Sequence, residues 1–144
     1  MVDFFKIFFT VIKKKVIMSS IKKDILLVED NVTNQVLFKS IFDQKNWSYI
    51  ITKNGIEALD SLQNYQFSLI LMDLEMPLMN GIEAVNKIKS DDRYKHIPII
   101  ALSAHQKTNA LNDLEKIGFN DFIEKPIEIA HFYEKVKQYI NKET

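Results

Sequence analysis

An apolar stretch that ends directly on a carboxylate, from Leu69 to Asp73, is the feature that most constrains this chain. A short apolar run bounded by turn-forming residues is typical of a buried strand in a parallel sheet. In open parallel sheets, functional sites lie just beyond the carboxyl ends of the strands. A charge buried there is costly unless another group compensates it. The sequence therefore predicts a polar site around Asp73.

The remainder of the chain alternates between strand-like and helix-like patterns. Apolar runs predict five strands, at residues 25–28, 49–52, 69–73, 99–102 and 121–124. A helical pattern of apolar residues follows each strand, which predicts an α/β fold with a doubly wound five-stranded parallel sheet and helices on both faces. With 144 residues, 47% of them hydrophobic, the chain is long enough to bury the core of one such domain.

The helix boundaries follow from capping residues. Asn31 or Thr33 can cap the first helix after a strand, which is predicted to end near Lys45. The predicted buried stripe of that helix comprises Val36, Leu37, Ile41 and Phe42. The helix after the fourth strand is predicted over about residues 107–117 with Gly118 as its C-cap, and the last helix over about 127–141.

Polar side chains follow four of the predicted strands, at the point where each strand ends. They are Glu29 and Asp30, Asp73, Ser103, and Lys125. A single acid at a strand end is more often a helix cap or part of a solvated turn. Because the carboxyl ends of parallel strands meet at one edge of the sheet, their joint occurrence predicts a single site.

The chemistry of these side chains favours phosphoryl transfer. Clustered carboxylates repel one another unless a cation joins them, and oxygen ligands favour Mg²⁺ over Zn²⁺. Glu29 and Asp30 are adjacent and can share the ion, whereas Asp73 stands alone and is the best candidate nucleophile. Lys125 can neutralise the charge of one phosphoryl oxygen, and the Ser103 hydroxyl can donate a hydrogen bond to another. The chain has no cysteine, which excludes disulfides and thiolate chemistry.

Four sequence blocks together resemble the response-regulator receiver domain of the CheY-like superfamily. They are Val28-Glu29-Asp30-Asn31, Met72 to Pro77 with Asn80-Gly81, Pro98 to Ala104, and Lys125-Pro126. The similarity covers about residues 24–142, and the first block is similar to receivers of hybrid histidine kinases. The resemblance implies a flavodoxin-like fold with strand order 2-1-3-4-5. It also implies a single-domain response regulator in a cytoplasmic phosphorelay.

The resemblance further implies specific roles for the residues at the strand ends. Asp73 would accept the phosphoryl group of a phosphohistidine on a histidine kinase or histidine phosphotransfer protein, and phosphorylation would switch binding of a downstream protein target. The Mg²⁺ ligands it implies are Asp30, Asp73, Glu29 and the backbone carbonyl of Glu75. Ser103 and Lys125 would contact the phosphoryl group, and the Lys125–Pro126 peptide bond would be cis.

Switching and dephosphorylation are implied for three further positions. Phe122 stands where the family usually carries a tyrosine coupled to Ser103. Because phenylalanine has no hydroxyl, only a change in the burial of its ring could report phosphorylation. Phe122 is equally well explained as a core residue with no switching role. Glu75 and His105 occupy positions that tune the lifetime of the phosphoaspartate, although His105 is more simply a surface residue. The chain would promote its own phosphorylation and autodephosphorylation without turning over a separate substrate.

Three other functional classes fit the sequence less well than the receiver. A receiver-like interaction module that never accepts phosphate would usually lack part of the acid–lysine set, which is complete here. A phosphatase of the haloacid-dehalogenase type would require a second aspartate two residues after Asp73, where this chain has Glu75. A flavin-binding flavodoxin would need phosphate loops rich in small residues, which three glycines do not supply.

Residues 1–20 differ from the domain predicted over residues 21–144. Residues 1–23 carry six lysines against Asp3 alone, so the remainder is acidic, which argues against nucleic acid as a partner. A helical wheel places Lys6, Thr10 and Lys13 on one side. The opposite, apolar side comprises Phe4, Phe8, Val11 and Ile12, but the apolar stretch is too short and too interrupted to span a bilayer.

Three interpretations of this N-terminal segment stay open. It is a basic amphipathic helix on a membrane surface or a partner, a helix packed on the domain, or a poorly ordered segment upstream of a true start at Met18. Any membrane contact would run through residues 1–17.

Overall fold

A computed structural model describes residues 3–76, 79–104 and 110–140 of the chain. The strands are β1 (Lys22–Val28), β2 (Tyr49–Thr52), β3 (Gln66–Asp73), β4 (Ile99–Ser103) and β5 (Asp121–Glu124). The helices are α1 (Phe4–Ser20), α2 (Val32–Gln44), α3 (Gly55–Asn64), α4 (Gly81–Lys89), α5 (Ala110–Ile117) and α6 (Ile129–Tyr139). All strand pairs are parallel in the order β2-β1-β3-β4-β5, which confirms the predicted doubly wound sheet.

The sheet is buried on both faces because its strands are apolar at nearly every position. In β1, Ile25 and Leu27 point to one face and Leu26 and Val28 to the other, and all of them are fully buried. Helices α2 and α6 cover the first face, whereas α3, α4 and α5 cover the second. This two-sided burial explains why the strands are continuous apolar runs rather than alternating ones.

The predicted buried stripe of α2 is wrong in two positions. Val36 and Leu37 are exposed, and Phe38 is buried in their place beside Ile41 and Phe42. The ring of Phe38 lies 5.3 Å from that of Phe132 on α6 and 6.2 Å from that of Phe42. Phe38, Ile41 and Phe42 lie at i, i+3 and i+4, so the buried face of α2 follows helical spacing and meets the aromatic ring of α6.

Asparagine caps fix where the helices after β1, β2 and β3 begin. The caps are Asn31, Asn54 and Asn80, and each side chain accepts the backbone N–H three residues later at 2.8–3.0 Å. Such caps satisfy N–H groups that have no partner within the helix. Of the two predicted caps for α2, Asn31 is therefore the one used.

The last two helices differ slightly from their predicted bounds. Helix α6 begins at Ile129 rather than near 127, because the Glu128 carboxylate accepts from the backbone N–H groups of Ala130 and His131. Helix α5 ends at Gly118 as predicted: Gly118 has φ +129°, and its N–H donates to the carbonyl of Leu114 at 3.0 Å. The predicted start of α5 near residue 107 falls outside the described residues.

Helix α1 precedes the sheet and approaches α3. It begins at Phe4, and the carboxylate of the preceding Asp3 accepts from the backbone N–H of Lys6 at 3.1 Å. The side chains from Phe4 to Ile12 are all exposed. Within the part of the chain that the structure describes, no helix combines the length and apolar character needed to cross a membrane.

Candidate functional site

The carboxyl ends of β1, β3 and β5 bring two buried carboxylates to one lysine. The Nζ atom of Lys125 lies 2.7 Å from Oε2 of Glu29 and 3.2 Å from Oδ2 of Asp73. Glu29 is 0% exposed and Asp73 is 2% exposed, so both charges lie away from bulk water. The Lys125–Pro126 bond that follows β5 is cis, as expected. One ammonium thus compensates two buried acids.

Helix α2 holds Glu29 in place from the other side. Its Oε1 atom accepts from the backbone N–H of Asn31 at 3.2 Å and from Nδ2 of Asn34 at 3.3 Å. The amide of Gln35 also donates to the backbone carbonyl of Glu29 at 2.6 Å. Asn34 and Gln35 are not among the site residues predicted from the sequence. Their place on the first turn after the Asn31 cap is the signal that would have found them.

The surroundings of Asp73 make its carboxylate harder to ionise. Burial, together with the negative charge of Glu29, raises the pKa of Asp73 to about 6, although the Glu75 N–H and Lys125 act in the opposite direction. The Glu75 backbone N–H donates to Oδ1 of Asp73 at 3.0 Å. The carboxylate form is therefore costly in the protein alone and would be favoured by an added cation.

Lys125 stays charged despite its partial burial. Burial by itself lowers the pKa of Lys125, but the hydrogen bonds and negative charges of Glu29 and Asp73 outweigh that effect and raise the pKa above its ordinary value. The ammonium is consequently present at any physiological pH.

The acidic residues fit a hard divalent cation. One carboxylate oxygen from each of Glu29, Asp30 and Asp73 can be chosen so that all lie within 4.8 Å of one another. Asp30 is exposed, so this cluster opens toward solvent on one side. Oxygen donors alone, with room for water, match the coordination that Mg²⁺ prefers.

Ser103 and Glu75 lie together at the ends of β4 and β3. The hydroxyl of Ser103 donates to Oε1 of Glu75 at 3.4 Å, and Ser103 is 4% exposed. The backbone N–H of Lys125 donates to the Ser103 carbonyl at 2.8 Å, which ties the ends of β4 and β5 together. The site therefore draws its polar groups from four strand ends.

The predicted switch residue Phe122 is not among these contacts. Phe122 is partly buried against the core on the α3, α4 and α5 side and pairs in register with Ala101 of β4. His105 lies outside the described residues, so its role in dephosphorylation stays a prediction.

Gly81 permits the backbone to fold closely over the site. A Cβ atom at Gly81 would lie 2.5 Å from the Asp73 carbonyl oxygen and 2.9 Å from Cα of Leu74. Because these are backbone atoms, they cannot move without shifting the end of β3. We expect Gly81→Ala to lower the free energy of unfolding by about 1–3 kcal/mol in chemical denaturation.

Gly55→Ala is the matched control, since Gly55 also begins a helix behind an asparagine cap. Its Cβ would meet the side chain of Met79 at 2.8 Å, and that side chain can turn away. The two substitutions share the same backbone entropy change. Equal losses in both variants would contradict a special role for the close approach at Gly81.

Comparisons with known proteins agree with this geometry. The family model described as the response regulator receiver domain matches residues 25–137. The polar-differentiation response regulator DivK of Brucella anthropi is 36% identical over 118 residues, covering 82% of this chain and 96% of DivK.

Solved receiver structures are similar as well. The receiver domain of the Pseudomonas aeruginosa sensor histidine kinase PA1611, with a magnesium ion coordinated in its active-site cleft, is 29% identical with a TM-score of 0.73, covering 84% of this chain and 99% of that one. The receiver domain of Saccharomyces cerevisiae Ssk1, solved with the histidine phosphotransfer protein Ypd1, is 29% identical with a TM-score of 0.74, covering 85% of this chain and 90% of that one.

Proposed function

Since this chain belongs to the response regulator receiver domain family, the phosphoacceptors of two-component signalling, we propose that Asp73 is its phosphoacceptor residue. The observation that carries the proposal is the placement of the Asp73 carboxylate. It is buried at the end of β3, 3.2 Å from the Lys125 ammonium and hydrogen-bonded to the Glu75 N–H. These contacts hold the nucleophile beside a positive charge that can meet the incoming phosphoryl group.

The transfer step follows from these positions. A carboxylate oxygen of Asp73 attacks phosphorus of a phosphohistidine, the bond between phosphorus and the donor imidazole nitrogen breaks, and its electron pair returns to that nitrogen. Lys125 balances charge on one phosphoryl oxygen. The Ser103 hydroxyl, now 3.4 Å from Glu75, can turn to donate to another.

Asp30, Asp73 and the backbone carbonyl of Glu75 would hold Mg²⁺, with Glu29 next to them. When bound, the ion supplies charge neutralisation for the phosphoryl oxygens. Glu29, held by Asn34 and Lys125, keeps the carboxylate pair oriented toward the ion.

The phosphorylated form would differ from the free form in the position of Ser103. A phosphoaspartate adds nearly two negative charges and three acceptor oxygens beside that hydroxyl. Drawing Ser103 inward would shift the end of β4 and, through it, the packing of Phe122 on β5. A downstream protein would read this change. Glu75 and His105 would set how long the phosphoaspartate survives autodephosphorylation.

A histidine kinase or a histidine phosphotransfer protein is the partner that this site requires. Exposed apolar side chains adjoin the acidic pair on the first turns of α2, where Val36 is 63% exposed and Val32 is exposed as well. Such residues suit a protein partner that must bring its phosphohistidine to Asp73. The Ssk1 receiver, which is similar to this chain, is known in a complex with such a protein.

Magnesium-dependent labelling tests the proposal. We expect incubation with acetyl phosphate to add one phosphoryl group to the intact protein, measured by mass spectrometry, only when Mg²⁺ is present. Asp30→Asn should raise the Mg²⁺ concentration for half-maximal labelling by about tenfold or more, because it removes an ion ligand.

The control for this experiment is Asp60→Asn, which alters an exposed aspartate on α3. It should leave the Mg²⁺ dependence unchanged. Absence of labelling at saturating Mg²⁺ would instead support a receiver-like interaction module that works without phosphate.

A further inference from the structure

We propose that α1 binds the surface of membranes rich in anionic lipids and lies in the plane of the lipid–water interface. The helix lies before residue 25, where the match to the receiver family begins, so phosphotransfer does not account for it. The proposed membrane binding therefore does not depend on the phosphorylation site at the strand ends.

The described part of α1 presents large apolar side chains to solvent. Seven of the nine residues from Phe4 to Ile12 are apolar, and all are exposed; the largest fractions are 79% for Phe4 and 72% for Phe5. The rings of Phe5 and Phe9 contact each other 5.0 Å apart, and both side chains stay exposed. A soluble domain rarely exposes such a contiguous apolar surface without a binding role.

The polar side of the helix is basic. Lys6 and Thr10 follow each other one turn apart, and the Thr10 hydroxyl donates to the Lys6 carbonyl at 2.8 Å instead of facing outward. The sequence adds Lys13, Lys14 and Lys15 to the same helix, and no acidic residue occurs between Phe4 and Lys23. Aromatic residues combined with lysines on one helix are typical of helices that lie in a membrane interface.

Charge decides between a membrane and a second copy of this chain. Pairing two α1 helices would bring their lysines together without any acid to compensate them. Anionic lipid headgroups supply that compensation along the whole helix, which is about 25 Å long. The apolar residues also surround more than half of the helix, a wider face than one protein groove covers. A bilayer interface accepts such a face, but at 17 residues with four lysines the helix cannot cross it.

Vesicle sedimentation with the full 144-residue chain tests this inference. We expect binding to phosphatidylcholine vesicles that contain phosphatidylserine, weak binding to phosphatidylcholine alone, and release at high salt. Replacing Lys13, Lys14 and Lys15 by Gln should lower the partition coefficient roughly a hundredfold. Replacing Phe5 and Phe8 by Ser should lower it by a similar factor.

Matched controls separate the helix from the rest of the molecule. Lys53→Gln, Lys87→Gln and Lys116→Gln together remove the same charge from exposed positions outside α1 and should cause a much smaller loss. Each variant should keep the unfolding midpoint of the unchanged protein. Asp73→Asn should bind vesicles normally, so failure of lipid binding and failure of phosphorylation are distinguishable.

Three results would overturn the inference. They are no binding to either vesicle, equal binding to both, and lipid-free self-association that the α1 substitutions abolish while vesicle binding is absent. The last result would assign the exposed phenylalanines to a dimer interface.

Discussion

Asp73→Asn is expected to reduce phosphoryl labelling to background, the largest functional effect of any single substitution in this chain. An amide at this position keeps an acceptor for the Glu75 N–H, which donates at 3.0 Å, but it carries no anionic oxygen to attack phosphorus. The measurement is the stoichiometry of phosphate by intact mass spectrometry after incubation with acetyl phosphate and Mg²⁺.

Asp92→Asn is the control for that experiment, because Asp92 is highly exposed and pairs with Lys95 on the surface, at 2.9 Å. It should be labelled like the unchanged protein. Full labelling of the Asp73→Asn variant would show that another side chain accepts the phosphoryl group. Asp30, the exposed member of the acidic cluster, would then be the next candidate.

The fold could be predicted because its determinants are local. The apolar runs of β1, β3 and β4 are buried on both faces, so periodicity in the sequence corresponds directly to position in the sheet. Asparagine caps and Gly118 mark helix ends through contacts within a few residues. Strand order came from the resemblance to receivers, whereas the alternation alone restricts it only to a few arrangements.

The convergence of site residues could also be anticipated, because parallel strands end at one edge of the sheet. The sequence does not predict which of these side chains contact one another most closely. Nothing in the sequence indicates that Lys125 lies closer to Glu29, at 2.7 Å, than to Asp73, at 3.2 Å. That difference depends on how α2 holds Glu29 through Asn34, a contact between side chains of two elements.

The predicted buried face of α2 is wrong for a local reason. Phe38, Ile41 and Phe42 lie at i, i+3 and i+4 and share one face of the helix, whereas Val36 lies on nearly the opposite side. Packing against Phe132, about ninety residues later, buries Phe38 and leaves Val36 in solvent. Helical periodicity and the contact with Phe132 therefore agree, and Val36 is left exposed on α2.

The cost of ionising Asp73 predicts a second effect of Asp73→Asn, an increase in stability that depends on pH. In the folded protein, burial and the charge of Glu29 raise the pKa of Asp73 to about 6 from the ordinary 3.8, although the Glu75 N–H and Lys125 oppose them. The folded state therefore keeps a proton that the unfolded chain releases, so stability is lost as pH rises from about 4 through about 6. The loss approaches about 3 kcal/mol at higher pH. An asparagine has no proton to lose and avoids this penalty.

Chemical denaturation of both proteins at pH 4 and pH 8, without divalent ions, measures this difference. We expect Asp73→Asn to be more stable by up to about 3 kcal/mol at pH 8 and nearly equal to the unchanged protein at pH 4. Asp92→Asn should stay within about 0.5 kcal/mol at both values. Adding Mg²⁺ should stabilise the unchanged protein selectively and narrow the gap at pH 8, because a cation bound only to the folded state offsets the carboxylate repulsion. A less stable Asp73→Asn variant at pH 8 would mean that the attraction to Lys125, 3.2 Å away, outweighs burial and the charge of Glu29.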